Sequence, residues 1–469
     1  MNTLLTMLRS FVLFILTLFI LGSSVYADEM DNVVRRLMKE RNIPGAAVAV
    51  IKNGKPERVR TYGLASLEFQ VPVTEQTVFE IGSVSKQITA GAIMLLVQDG
   101  KIQLDARISQ YLPNTPPAWE NVTVRHLLTH SSGIRNYTGL TGFELSKRLT
   151  AEQFIKQLSE YPLEFIPGEK SSYSNSGFNL LAYIIEARSD KRYMDFLNER
   201  IFRPLGMERT GDRDPRHIIR GRATGYEWVN DGYIGRDGNL TDLIGAGSIV
   251  STIRDLAKWE AALHNDQIFN EQSKATMWTP FTFNDGSRSL YGFGWRISEL
   301  RGNKIIGHTG QTAGFGAALF RYPEKGVTVI ALTNLGELGM GSLIASSVAK
   351  LEISSLSLKN IFAADGAEPE QISRVKQILE NYLKDGHPGD TATPELVRTV
   401  MSERSKRLRS RLVSYGDIVY VRFAGRESVE NREVFRFLTA THTHLVLWRI
   451  TFDSNGKIGE MTPEEEEIR

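Results

Sequence analysis

The chain has no cysteine in its 469 residues. That excludes disulfides, thiolate metal sites, a cysteine nucleophile and a lipidated N-terminal cysteine. It also lacks an excess of charge. Its 56 Lys and Arg face 54 Asp and Glu, a formal charge of +2. Nothing in that balance points to nucleic acid or an acidic polymer as partner. Long apolar runs are scarce. A bilayer-spanning helix needs ~20 predominantly apolar residues, and no segment after the N-terminus approaches that. Two cofactor signatures are missing as well. The glycine-rich stretch 310–316 lacks the spacing of a dinucleotide loop. His126 and His130 are four apart and could share a helix face, but Leu127 stands where a zinc protease needs Glu. Packing or capping of a loop near the cleft is the expectation for them. His442 and His444 supply two ligands at most, too few for a structural zinc site. No metal and no cofactor is expected.

The N-terminus is informative. Arg9 precedes an apolar run over residues 11–21, and Val25-Tyr26-Ala27 places small residues before Asp28. This is the layout of a secretory signal peptide cleaved after about Ala27. It predicts a periplasmic or secreted protein with no stable membrane span once the signal is removed. Residues 1–27 are therefore left out of the fold.

Periodicity organises the rest. A helix is expected over 28–42, and strands over 46–51 and 57–64 joined by the turn Lys52-Asn53-Gly54-Lys55. A helix over 83–98 is closed by Asp99-Gly100. The middle, about 105–285, is short helices and loops, with Thr252 and Asp255 as a capping box. Strands return at 290–297, 304–308, 315–322 and 327–333, followed by a helix at 342–353. Strands at both ends with helices between predict an α+β domain over 28–357, an antiparallel sheet flanked by helices with an all-helical subdomain. A small α+β domain follows over 368–469. It has helices at 370–384 and 394–411 and strands at 417–423, 433–439, 445–452 and 457–461. The basic run 404–411 reads as a solvated face and the acidic run 464–467 as a solvated tail.

Three short motifs carry chemistry. The first is Ser83-Val84-Ser85-Lys86. A serine hydroxyl is a weak nucleophile until a base takes its proton. Residues i and i+3 share a helix face, so Lys86 can stand beside Ser83. At a helix start, free backbone N–H groups can hold an oxyanion. Ser-x-x-Lys also occurs at Ser347, Ser373 and Ser454, where helix and turn patterns give it a structural reading. The second motif is Tyr173-Ser174-Asn175, in which a phenol can exchange a proton and an amide can bind both substrate and lysine. The third is His308-Thr309-Gly310 at a strand end. There a backbone N–H can complete an oxyanion hole and the glycine admits close approach of substrate.

In this order, the triplets resemble the signature motifs of the serine penicillin-recognising enzymes. The Tyr-x-Asn form is similar to the branch of class C β-lactamases, DD-carboxypeptidases, D-aminopeptidases and related esterases. Phe79-Glu80-Ile81-Gly82, Arg125-His126-Leu127-Leu128-Thr129-His130-Ser131-Ser132-Gly133-Ile134, Pro204-Leu205-Gly206-Met207 and Ala246-Gly247-Ser248 also look like segments of that family. The resemblance spans about residues 30–355. The last hundred residues lie outside it and bear a faint likeness to cystatin-like or NTF2-like appendages of some members.

The resemblance implies that Ser83 becomes acylated. Lys86 and Tyr173 share the proton work, with the base left open between them. Asn175 orients a substrate amide and Lys86, and His308, Thr309 and Gly310 line the substrate site. The backbone N–H groups of Ser83 and Gln311 would form the oxyanion hole. His308 departs from the lysine of many members. With a reference pKa of ~6.5 it favours substrates without an obligatory carboxylate, and activity is expected to depend on pH between about 5 and 8 if it contacts substrate. The expected activity is hydrolysis of an amide or ester, with peptidoglycan-derived or D-amino-acid compounds as the candidate substrates; the expected partner is a peptide or small molecule. A class C-like β-lactamase and a non-catalytic binding protein of the same fold are the competing readings. The sequence leaves the oligomeric state open.

Overall fold

The computed structural model describes residues 28–214, 216–429 and 432–467. The expected signal peptide, 1–27, lies outside the described residues. The chain divides into two compact units, the first ending at Glu352 and the second starting at Ile353.

The first unit is built on a seven-stranded antiparallel sheet. Its strands are β1 (Gly45–Lys52), β2 (Lys55–Ser66), β3 (Val71–Pro72), β4 (Arg296–Leu300), β5 (Asn303–Thr312), β6 (Phe315–Tyr322) and β7 (Val327–Thr333). Their order across the sheet is β3-β2-β1-β7-β6-β5-β4. Asn53 and Gly54 both take positive φ, 48° and 75°, as a tight hairpin between β1 and β2 requires. The strand β1 reads as a continuous apolar run because both its faces are covered. Helices α1 (Glu29–Glu40) and α5 (Met340–Glu352) pack together, with α5 on β6 and β7. On the other face, Glu260 of α4 (Ile253–Ala262) accepts from Thr328 of β7 and from Arg321 of β6.

That second face also holds the helical part. Helix α2 (Ser85–Gln98) is buried at every position from Ser85 to Leu96 and packs against α3 (Asn175–Ser189). A helix apolar all round belongs inside a core rather than on a surface. The mixed α+β class, with an antiparallel sheet flanked by helices, is the one expected from the sequence.

Two local expectations give way in this unit. Residues 290–294 are not strand: they form a hook in which Gly292 N–H donates to the Trp295 carbonyl at 2.8 Å. Gly294 sits in it at φ 75°, where a Cβ would lie 2.5 Å from the Lys86 carbonyl oxygen. The capping box at Thr252 is half present. Thr252 Oγ accepts from Asp255 N–H, but the Asp255 carboxylate accepts from the Arg209 N–H and the Thr210 hydroxyl instead.

The second unit has helices α6 (Pro369–Asp385), α7 (Pro394–Val400) and α8 (Glu403–Val413). Its antiparallel meander is β8 (Tyr420–Val429), β9 (Arg432–Ala440), β10 (His444–Phe452) and β11 (Ile458–Glu467). Phe437, Trp448 and Ile450 on one sheet face share a core with Val375, Ile378 and Leu379 of α6. The single helix expected over 394–411 is broken where Ser402 caps α8 by accepting from Ser405 N–H. The acidic tail is instead the end of β11. Glu465 accepts from Arg411 at 2.7 Å and Tyr415 at 2.5 Å, and Glu466 accepts from Leu358 N–H. Glu466 also ties down Ser357, so the stretch 353–358 is bonded into this unit.

Candidate active site

Ser83 sits in a single 3-10 turn, Gly82–Val84, that runs directly into α2. Gly82 takes φ 49°, and a Cβ there would lie 2.7 Å from Gln311 N. The turn therefore lies backbone to backbone against β5. Lys86, one turn later, is wholly buried, with Nζ 3.1 Å from Ser83 Oγ. Nζ also donates to Asn175 Oδ1 at 2.7 Å and to the Ala246 carbonyl at 2.8 Å. Among the described residues, no carboxylate bonds to it. Burial alone drives its pKa well below the usual lysine value.

The Tyr173 hydroxyl donates to Ser83 Oγ at 2.7 Å. Its ring is partly open to solvent, yet burial of the phenol raises its pKa. Asn175, the first residue of α3, uses its side chain twice: Oδ1 takes the Lys86 bond and Nδ2 donates to Thr138 at 3.2 Å. Ser83, Lys86, Tyr173 and Asn175 thus meet at one place. The Asn175 contact with Lys86 is present as expected.

The third motif arrives on β5. This strand pairs with β4 only as far as Gly307 opposite Arg296, while its pairing with β6 continues to Thr312. A Cβ on Gly310 would lie 1.9 Å from the Ile81 carbonyl oxygen and 3.2 Å from Ser83 N. Only glycine permits that approach, and it brings the Gln311 and Ser83 backbones side by side. Gln311 anchors its side chain on the Gly336 carbonyl at 2.6 Å.

His308 is 7% exposed and faces the helical side of the sheet. Its Nδ1 is 2.6 Å from the Thr309 carbonyl oxygen and its Nε2 is 2.7 Å from the Tyr291 hydroxyl. Burial first, then the nearby Lys86, lower its pKa to about 3. The pH dependence between 5 and 8 expected from His308 is therefore corrected: the imidazole is neutral throughout that range, chiefly because its surroundings are dry.

Sequence reasoning missed Tyr291, the Ala246 carbonyl and Thr138. The first depends on the hook at 290–294. The second is a backbone atom that no residue type advertises. His126 and His130 do not share a helix face, since the helix Val124–Leu128 ends between them. His126 closes a capping box with Thr123, and His130 lies beyond at φ 59°. The His130 ring packs 4.4 Å from Tyr173 and 4.5 Å from Tyr291, and Nδ1 accepts from Ser174 N–H. Both histidines serve the packing and capping expected of them.

A helix-flanked antiparallel sheet with Ser-x-x-Lys at the start of a buried helix, Tyr-x-Asn beside it and His-Thr-Gly on the sheet defines the class of the serine penicillin-recognising fold. Residues 30–345 match the Beta-lactamase family model, and the chain belongs to that family. It is 31% identical over 297 residues to penicillin-binding protein 4* of Bacillus subtilis, covering 59% of this chain and 65% of that one. It is 29% identical over 314 residues to a D-aminopeptidase of Brucella anthropi, covering 65% of this chain and 59% of that one. The chain thus spans less than two thirds of the length of these two curated relatives. Among solved structures, the octameric penicillin-binding protein homologue from Pyrococcus abyssi shares the fold with a TM-score of 0.64 at 22% identity, over 94% of this chain and 96% of that one. The D-amino acid amidase from Ochrobactrum anthropi SV3, complexed with L-phenylalanine amide, gives 0.58 at 26% identity, over 70% and 97%.

Proposed function

We propose that the chain is a serine hydrolase that forms an acyl-enzyme on Ser83 and cleaves amide or ester bonds of peptides or small molecules. D-amino-acid and peptidoglycan-derived compounds are the preferred class. The observation that carries this reading is how Lys86 spends its hydrogen bonds. A neutral amine has two N–H donors, and the Asn175 and Ala246 oxygens take both. Its lone pair is left for the Ser83 hydroxyl. Burial favours the neutral amine and also keeps Tyr173 a phenol. This supports Lys86 as the base and Tyr173 as the acid.

The steps balance. Ser83 Oγ attacks the carbonyl carbon while its proton passes to Lys86. The oxyanion rests on the backbone N–H groups of Ser83 and Gln311, each worth ~3 kcal/mol in such sites. The C–N or C–O bond breaks as the leaving atom takes the Tyr173 proton. Lys86, 4.8 Å from the Tyr173 ring centre, returns its proton to the phenolate. Water then repeats the sequence on the acyl carbon and frees Ser83. Relatedness to D-aminopeptidase and D-amino acid amidase supports the substrate class. The N-terminal sequence pattern supports work in the periplasm or outside the cell.

Intact-protein mass spectrometry after a fluorophosphonate or penicillin tests the proposal. An adduct on the wild type, absent from Ser83→Ala, is expected. No adduct on the wild type, under conditions that label a known member, would favour the binding-protein reading. Rapid turnover of a chromogenic cephalosporin would move the assignment to a β-lactamase.

A further inference from the structure

The hook at 290–294 sets Tyr291 against a histidine that the acylation chemistry does not use. A carbonyl oxygen only accepts, so the 2.6 Å contact with Thr309 fixes the proton of His308 on Nδ1. In the neutral ring Nε2 is then a bare lone pair. Tyr291 Oη, 2.7 Å away, donates to it. Both ring nitrogens are spent inside the protein. The two rings stand perpendicular at 5.8 Å, and the His130 ring packs 4.5 Å from Tyr291.

We infer that Tyr291 is a specificity-determining positioning residue: by occupying His308 Nε2 it leaves the His-Thr-Gly corner without a free ring donor, and so disfavours substrates whose leaving group carries a carboxylate. The inference rests on the hydrolase reading above and names its substrate class more closely, as amides and esters with an uncharged leaving group.

The surroundings agree. The groups acting on His308 and its partner Tyr291 are Lys86 from α2, Arg296 from β4, Tyr173 from the loop before α3 and His130 from the loop after Val124–Leu128. None is a carboxylate, so nothing there rewards an imidazolium. The Tyr291 hydroxyl adds to this by taking the lone pair a proton would need. Replacing it by Phe keeps the ring that packs on His130 and removes only the donor.

Two measurements test the idea. The first is 15N NMR of histidine-labelled wild type and Tyr291→Phe, with His308 assigned through His308→Gln. The wild type should show a neutral, Nδ1-protonated ring across pH 5–8, and Tyr291→Phe should shift the Nε2 resonance as its hydrogen-bond donor is lost and raise the ring's pKa from its wild-type value. A wild-type ring protonated on Nε2, or a His308 signal unmoved by Tyr291→Phe, would overturn the inference. The second compares kcat/KM for a D-amino-acid p-nitroanilide and its 3-carboxy-4-nitroanilide counterpart. The preference for the carboxylated substrate should rise about tenfold in Tyr291→Phe at the acid end of the activity range, where the substrate carboxylate can hold a proton on the freed Nε2. An unchanged ratio would also overturn it. If the wild type turns over neither anilide, the hydrolase reading falls, while the NMR arm still decides whether Tyr291 locks the ring.

Discussion

The Tyr173 hydroxyl lies 2.7 Å from Ser83 Oγ, on the same oxygen that Lys86 approaches at 3.1 Å. One hydroxyl thus stands between a phenol whose pKa burial raises and an amine whose pKa burial lowers. Loss of either partner should have a different signature.

Tyr173→Phe removes the proton donor to the leaving atom. An amine leaving group needs that proton, and a nitrophenolate ester does not. Amide turnover should fall by about 10²–10⁴-fold, the usual worth of general acid catalysis, while nitrophenyl ester turnover falls far less. Paired anilide and nitrophenyl ester assays check this. Equal losses would remove Tyr173 from the acid role.

Lys86→Ala removes the base. Acylation should slow by about 10²–10⁴-fold. In the wild type, kcat/KM should rise with pH to a plateau, because the amine must be free. Its midpoint should lie well below the usual lysine value of 10.5. A pH–rate profile measured between 5 and 10 checks both points, and His308 should add no inflection between 5 and 8.

Gly310→Ala should abolish acylation without unfolding the protein. The added methyl meets the Ile81 carbonyl oxygen at 1.9 Å and can be housed only by parting β5 from the Ser83 turn. Probe labelling followed by intact mass, beside circular dichroism, checks this. Full labelling would refute the close approach.

Asp242 gives a stability test. Its buried carboxyl has Oδ1 bonded to Leu149 N–H and Oδ2 without a partner, and burial raises its pKa to about 7. A folded value above the unfolded one stabilises most below the unfolded pKa, and that support is lost as pH rises through about 7. Asp242→Asn does not titrate. The Tm of Asp242→Asn relative to wild type should therefore climb between pH 5 and 8. A constant difference would contradict the shift.

Much of this site was legible in the sequence because its key spacings are local. Ser83 and Lys86 are one helical turn apart, and Tyr173 and Asn175 straddle a helix start. Those spacings survive whatever the rest of the chain does. The strands β6 and β7 were legible to the residue, as short apolar runs bounded by Gly, Pro and Asn. What failed was non-local. Residues 290–294 have strand-like composition, but packing of Gly294 on the Lys86 carbonyl bends them into a hook, and Tyr291 was lost with it. His308 looked like a titrating group because a sequence shows its reference pKa and not its burial. The glutamates of β11 looked solvated because Arg411, Tyr415 and Ser357, which receive them, lie far away along the chain.

The pairing of β1 with β7 sets Ala46 opposite Thr333. The strand made first is thus central, and its neighbour on one side is made last. During synthesis β1 must wait, paired on one edge only, until nearly all of the unit has left the ribosome. Contacts so distant along the chain make for slow assembly with an apolar edge exposed meanwhile. An apolar strand left open along one edge until β7 emerges is the cost of drawing a central strand from the beginning of the fold.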